Sequence, residues 1–139
     1  MIVIDSSVIY AVLDARDRLH EDAREWLQHS TEPLATTPLV LAEVDHLAAK
    51  RVGRHAATAF RRDVRAGAYH VEWWRGAEVE AAEVADRYGD LGLGLTDAAL
   101  VALAARLGTD RIATFDERHF RNVRTLGGGS FILVSMDGA

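Results

Sequence analysis

Two short apolar stretches each lead into an aspartate: Met1-Ile2-Val3-Ile4 before Asp5, and Arg111 to Phe115 before Asp116. That is the profile of a strand buried on both faces, ending at an acidic group. In an open α/β sheet the ligand crevice lies beyond the carboxyl ends of the strands, where strand order reverses. If the two strands are neighbours there, Asp5 and Asp116 enter the same crevice. Helix N-capping is the other use of an aspartate in such a place. Asp97 opens a helix that is apolar nearly all round, which draws its carboxylate toward the interior. A buried carboxylate costs several kcal/mol unless a cation or donor meets it. Glu43 lies within Pro38 to Arg51, and at about 100° per residue Leu39 and Leu47 fall within roughly 40° of it. Asp45 points to the opposite face, so Glu43 borders the apolar stripe.

Four carboxylates in one crevice repel each other and rise in pKa unless a cation balances them. The chain has no cysteine and no histidine pair at metal-ligand spacing, so the donor set is oxygen only. Such a set selects a hard ion, Mg²⁺ or Mn²⁺. One or two such ions activate water and stabilise the oxyanions of an in-line attack on phosphorus. Phosphodiester hydrolysis is the reaction that suits this chemistry.

The elements that must position these groups alternate between strand and helix. After the first strand, Ser6 or Ser7 caps a helix over 8–13, and a second amphipathic helix covers 20–29. Leu34 to Thr36 is a brief strand, and Pro38 starts a helix that runs to about Arg51, broken by Gly53. Helices over 54–65 and 77–88 flank a strand over 69–73, and the three glycines of 89–94 make a loop. Thr96 caps the helix from Asp97 to Leu107, Gly108 stops it, and a strand over 111–115 follows. A short helical turn and Gly127-Gly128-Gly129 lead to a last strand over 131–134. This alternation predicts an α/β fold with a parallel sheet covered on both faces. No repeat or linker interrupts it, which predicts one domain over 1–139.

Composition sets the outer bounds. The chain has 139 residues, 49 % hydrophobic and 27 % charged, the balance of a soluble globular domain. The longest apolar run, Ala98 to Ala105, falls well short of the roughly 18 residues a membrane span requires. No secretory leader opens the chain, so the expected location is the cytoplasm. The net charge of −5 argues against sequence-blind coating of nucleic acid. Charge is nevertheless segregated. Lys50, Arg51, Arg54, Arg61, Arg62 and Arg65 face Asp63 alone, whereas 75–90 is acidic. The basic stretch could guide a polyanion toward the crevice.

Four motifs then resemble a known family: Ile-Asp-Ser-Ser-Val-Ile at 4–9, Leu-Ala-Glu-Val at 41–44, Leu-Thr-Asp-Ala at 95–98 and Thr-Phe-Asp-Glu-Arg-His-Phe at 114–120. In this order and spacing they look like PIN domains, and more narrowly like the VapC toxins of bacterial type II toxin–antitoxin systems. The resemblance covers essentially the whole chain. It implies a three-layer fold with a five-stranded parallel sheet in order 3-2-1-4-5, flanked by helices. It implies a Mg²⁺- or Mn²⁺-dependent endoribonuclease, held inactive by a cognate VapB-type antitoxin and commonly a homodimer. Carried over by position, Asp5, Glu43, Asp97 and Asp116 form the acidic quartet that holds the ion, with Ser7 orienting the first carboxylate. Arg118, His119 and Arg121 are candidates to hold RNA phosphates. Trp73 and Trp74 are candidates for dimer or antitoxin contact. Phe115 departs from the polar residue that many members carry there, which bears on the role of Asp116.

Two other hydrolase or signalling readings fail on single residues. An aspartyl-nucleophile phosphatase needs a second aspartate where Ser7 stands, and a receiver domain needs a late lysine where the only lysine is Lys50. A DNA-directed nuclease of the same fold and a degenerate PIN-like binding module are the alternatives left open.

Overall fold

The computed structural model describes residues 1–137. Five strands form one sheet: β1 (Ile2–Ile4), β2 (Leu34–Thr36), β3 (His70–Val71), β4 (Arg111–Ala113) and β5 (Ile132–Leu133). Their order is β3-β2-β1-β4-β5, and every pairing is parallel. Helices flank the sheet: α1 (Ser6–Leu13), α2 (His20–His29), α3 (Pro38–Leu47), α4 (Arg54–Arg65), α5 (Ala77–Arg87), α6 (Leu95–Leu107), α7 (Glu117–Phe120) and α8 (Val134–Asp137). The expected α/β architecture and sheet order are those observed.

Sheet order explains why the two strand-ending aspartates meet. β1 lies between β2 and β4, with Val3 opposite both Ala35 and Ile112 and Ile4 opposite Ala113. The chain leaves β1 toward β2 on one side and β4 fills the other, so the switch point falls between β1 and β4. Asp5 and Asp116 stand just beyond these two strands. The Asp5 amide donates to the Ala113 carbonyl at 2.9 Å, which extends the ladder to the residue itself. β1 is wholly buried, as its unbroken apolar run requires.

α6 supplies the centre of the core. Ala98 through Ala104 are all buried, so the helix presents apolar surface in every direction. Leu100, Val101 and Leu103 join Ile4, Val8, Val40, Val44 and Ile112 in one continuous hydrophobic cluster. The small alanines on either side let neighbouring elements approach α6 closely.

Several boundaries differ from the sequence expectation. Asp5, not a serine, caps α1: its side chain accepts from the Ser6 amide, and the helix starts at Ser6. Thr96 does not cap α6, which begins one residue earlier at Leu95 behind Gly94 with no side-chain cap. The strands over 69–73, 111–115 and 131–134 shorten to the two or three residues that find a ladder partner. After β5 the chain turns into α8, a short helix the alternating pattern did not reveal. The helix after Pro38 is regular only to Leu47, and Ala48–Val52 widen into a π-helical turn. Gly53 ends that turn at φ 142, ψ 173, a conformation essentially reserved for glycine.

Candidate metal centre

Asp5 is 3 % exposed and held at both oxygens. The Ser6 amide donates to Oδ1 at 2.7 Å, while the hydroxyls of Ser7 and Thr114 donate to Oδ2 at 2.9 and 2.7 Å. Ser7 and Thr114 are fixed in turn: the Phe115 amide donates to Ser7 Oγ at 3.0 Å, and the Asp116 amide to Thr114 Oγ1 at 2.9 Å. The hydroxyls therefore lock the loop after β4 to the carboxylate after β1. Burial raises the Asp5 pKa above its ordinary value, and the nearby Asp116 adds to it against these hydrogen bonds.

Glu43 reaches the cluster from α3. The Ser6 hydroxyl donates to Glu43 Oε1 and also lies 3.3 Å from Asp5 Oδ1, so one serine bridges the two carboxylates. Asp45, on the far side of the helix as its spacing predicts, pairs with Arg61 through two bonds of 2.6 and 3.0 Å. Asp97 enters from the first turn of α6, where the helix dipole favours negative charge. Burial pushes its pKa up to about 7, and the charges of Asp5, Asp116 and Glu43 act in the same direction, partly offset by His119.

Asp116 and His119 form one turn. Asp116 caps α7 by accepting from the His119 amide at 3.0 Å, and its other oxygen lies 2.7 Å from His119 Nδ1. The same ring nitrogen is 3.3 Å from Asp97 Oδ2. Capping and a place in the crevice are thus both true of Asp5 and Asp116. One donor atom each from Asp97, Asp116 and His119 lies within 4.8 Å of the other two. His119 Nε2 is buried without a hydrogen-bond partner among the described residues.

The donor set fits a hard divalent cation. Among the described residues, Asp97 and Asp116 with His119 are the group whose donor atoms come this close together, while Asp5 and Glu43 adjoin it through Ser6. The ion pairs of Asp97 and Asp116 run to His119. Burial first and neighbouring carboxylates second raise the pKa of Asp5 and Asp97, and a divalent ion would oppose that shift. His119 Nδ1 adds one nitrogen beside these oxygens, a donor that the oxygen-only expectation did not include.

The remaining candidates divide. Arg121 is engaged by Glu117 at 3.0 Å and Asp137 at 2.6 Å. Arg118 is exposed, and among the described residues it makes no ion pair. His119 belongs to the cluster itself rather than to its rim. Sequence reasoning passed over Thr114 and Ser6 as site residues. The signal for Thr114 is a hydroxyl two residues before an aspartate at a strand end, the spacing at which a side chain bonds the backbone two residues on. The spacing of Asp116 and His119, three residues apart, is likewise that of neighbours on a helical turn.

A parallel 3-2-1-4-5 sheet with carboxylates gathered at its switch point defines a class, and comparison with known proteins agrees on which. Residues 2–126 match the family model described as PIN domain. Over 133 residues the chain is 39 % identical to Ribonuclease VapC26 of Mycobacterium tuberculosis, covering 95 % of this chain and 98 % of that protein. The structure of VapC20 from the same organism, described as a toxin cleaving the sarcin–ricin loop, superposes with a TM-score of 0.78 at 25 % identity. That match covers 84 % of this chain and 91 % of VapC20. FitAcB from Neisseria gonorrhoeae, at 17 % identity, TM-score 0.62 and 95 % and 97 % coverage, shares the fold. The chain belongs to the PIN-domain family and, within it, to the VapC ribonucleases.

Proposed function

We propose that this chain, as one PIN domain, is the toxin of a type II toxin–antitoxin pair and hydrolyses RNA phosphodiester bonds with a divalent ion held by Asp5, Asp97, Asp116 and Glu43. What supports the reading is the placement of Asp5 and Asp116 just beyond β1 and β4, with Asp5 desolvated and clamped by Ser7 and Thr114. Glu43 is tied to Asp5 through Ser6, and Asp97 and Asp116 share His119. Asp5, Asp97, Asp116 and Glu43 would hold Mg²⁺ or Mn²⁺, which would activate water near neutral pH and offset charge on the phosphate. The protein's own contribution is geometry. Ser7 and Thr114 hold Asp5 in one rotamer, Ser6 ties Glu43 to it, and His119 fixes the orientation of Asp116. Second-layer partners of this kind commonly change metal affinity by 10–100-fold when removed.

The family relationship supports a VapB-type antitoxin as partner. One surface suits protein contact. Val71 and Trp73 are exposed on and beside the edge strand β3, whereas Trp74 is covered by Arg106 at 5.1 Å and donates to Glu80. We assign Trp73 rather than Trp74 to an interface, either between two copies or with the antitoxin. No helix among the described residues is long and apolar enough to cross a membrane; the cytoplasm as place of action rests on the family relationship.

The decisive test incubates the purified chain with structured and unstructured RNA and with matched DNA, with Mg²⁺ or Mn²⁺ and with a chelator. RNA cleavage that requires the ion and falls at least about 10²-fold in Asp5→Asn and Asp97→Asn is expected, since the ion's charge stabilisation amounts to several kcal/mol. Cleavage that survives chelation, or a folded chain inert toward RNA with either ion, defeats the proposal.

A further inference from the structure

Beside the carboxylates runs a cleft of about 300 Å³ lined by residues of α1, α3 and the turns that follow them. From α3 and its π-helical extension come Glu43, Leu47 and Arg51, spaced four apart along one face. From α1 and the strand-end loops come Ser6, Ser7, Tyr10 and Phe115. At a rise of about 1.5 Å per residue, Glu43 and Arg51 stand roughly 12 Å apart along the helix. One end of the cleft is therefore the acidic cluster and the other is a guanidinium.

The guanidinium is placed, not free to wander. Arg51 lies 5.9 Å from the centre of the Tyr10 ring, at cation–π range. Its carbonyl accepts from the Arg16 guanidinium at 3.1 Å, which brings a second cation to the same end. Tyr10 is oriented by its hydroxyl, which donates to Asp14 at 2.6 Å. The widened turn over Ala48–Val52 is what carries Arg51 there, and such single π-turns recur at functional sites. Phe115 is half-buried, packed on the core at its base and anchored by its amide on Ser7. Asp17, the carboxylate at the rim, is occupied by the Leu19 amide at 2.8 Å.

Aromatic faces and a positive group, in a cleft that shares Ser6 and Glu43 with the carboxylate cluster, have the composition of a single-strand binding site. Unpaired bases stack on aromatic rings and guanidinium planes, while the backbone meets positive charge. A cleft of this size takes one base and excludes a duplex. We propose that it is a subsite for one unpaired nucleotide beside the scissile bond, its base against Tyr10 and Phe115 and its phosphate on Arg51. The proposal rests on the ribonuclease reading of the neighbouring cluster and adds the strand's path. It also singles out Arg51 from the basic stretch, of which Arg61 is already paired to Asp45. Phe115, the departure from the family's polar residue, becomes a base platform instead of a partner for Asp116.

The test uses the full-length Asp97→Asn protein with Mg²⁺ and single-stranded RNA oligomers carrying 2-aminopurine at successive positions. Quenching at one position is expected, lost in Tyr10→Ala and Phe115→Ala and retained in Tyr10→Phe. Each lost ring should weaken binding about 5- to 100-fold, the range for base–aromatic stacking. Arg51→Ala, an exposed position that leaves the core intact, should weaken binding and make the salt slope shallower by about 0.7. Quenching at no position, or quenching and affinity that all these variants leave unchanged, overturns the subsite; a groove that receives a peptide instead gives that second result. Cleavage by the unsubstituted chain is read separately. Quenching without cleavage sinks the nuclease reading and leaves the subsite, and cleavage without quenching does the reverse.

Discussion

Asp97 has opposite consequences for folding and for ion binding. Its pKa rises from 3.8 to about 7, so the folded state holds the proton more tightly than the unfolded chain does. The associated stability is fully present below pH 3.8 and is lost as pH rises through about 7. In chelator, Asp97→Asn should therefore be more stable than the parent at pH 8, by about 2–4 kcal/mol, and close to it at pH 4. Thermal melts at the two pH values check this, and an Asn variant that is less stable at pH 8 refutes the strained-carboxylate account. Thr114 makes the complementary case. Thr114→Val keeps the shape but removes the donor to Asp5 and the acceptor of the Asp116 amide. A loss of about 1–3 kcal/mol in stability and a 10- to 100-fold weaker ion affinity are expected, by denaturation and by ion titration.

At the scale of elements, α6 and the turn after α3 carry the arrangement. α6 sets Asp97 by burying its apolar surface on all sides, so Leu100→Ala leaves a cavity no neighbour can fill. A cost of about 2–5 kcal/mol is expected, measured by urea unfolding. Gly53 closes the π-helical turn at positive φ, and a Cβ there would sit 3.1 Å from His55 Nδ1. Gly53→Ala should cost about 1–3 kcal/mol and displace Arg51 from Tyr10. Strands, helices and their succession along the chain were legible from periodicity and from the glycines and prolines between them, whereas the sheet order came from the family resemblance. The π-helical turn was not, because nothing local separates it from a continued α-helix. Nor was α8, whose four residues continue the apolar pattern of β5.

The whole molecule is a folded scaffold with an under-compensated negative centre, and its stability should depend on the cation accordingly. Ligand carboxylates must be deprotonated to bind, so ion affinity rises with pH. At a free ion concentration 100 times its dissociation constant, binding to the folded state adds about 2.7 kcal/mol. The Tm gain from Mg²⁺ or Mn²⁺ should be larger at pH 8 than at pH 5 and absent in Asp5→Asn. A gain independent of pH, or equal in the variant, would place the ion elsewhere. The net charge of −5 argues against broad electrostatic coating of nucleic acid, in keeping with the proposed contact through Arg51.

Residue types and their spacing were enough to point to the acidic residues and to the strand ends that carry Asp5 and Asp116, because periodicity and capping are local properties of the chain. The histidine that joins Asp97 and Asp116 was not foreseen as a ligand. Folding decided what lies near what. Ser6 joins Glu43 to Asp5, Thr114 reaches back to Asp5 across 109 positions, and His119 turns into the cluster. The same long-range packing carries Arg51 to Tyr10 and opens a cleft beside the carboxylates. Contacts of this kind depend on side-chain rotamers and on how elements pack, and neither is encoded in any one stretch of sequence.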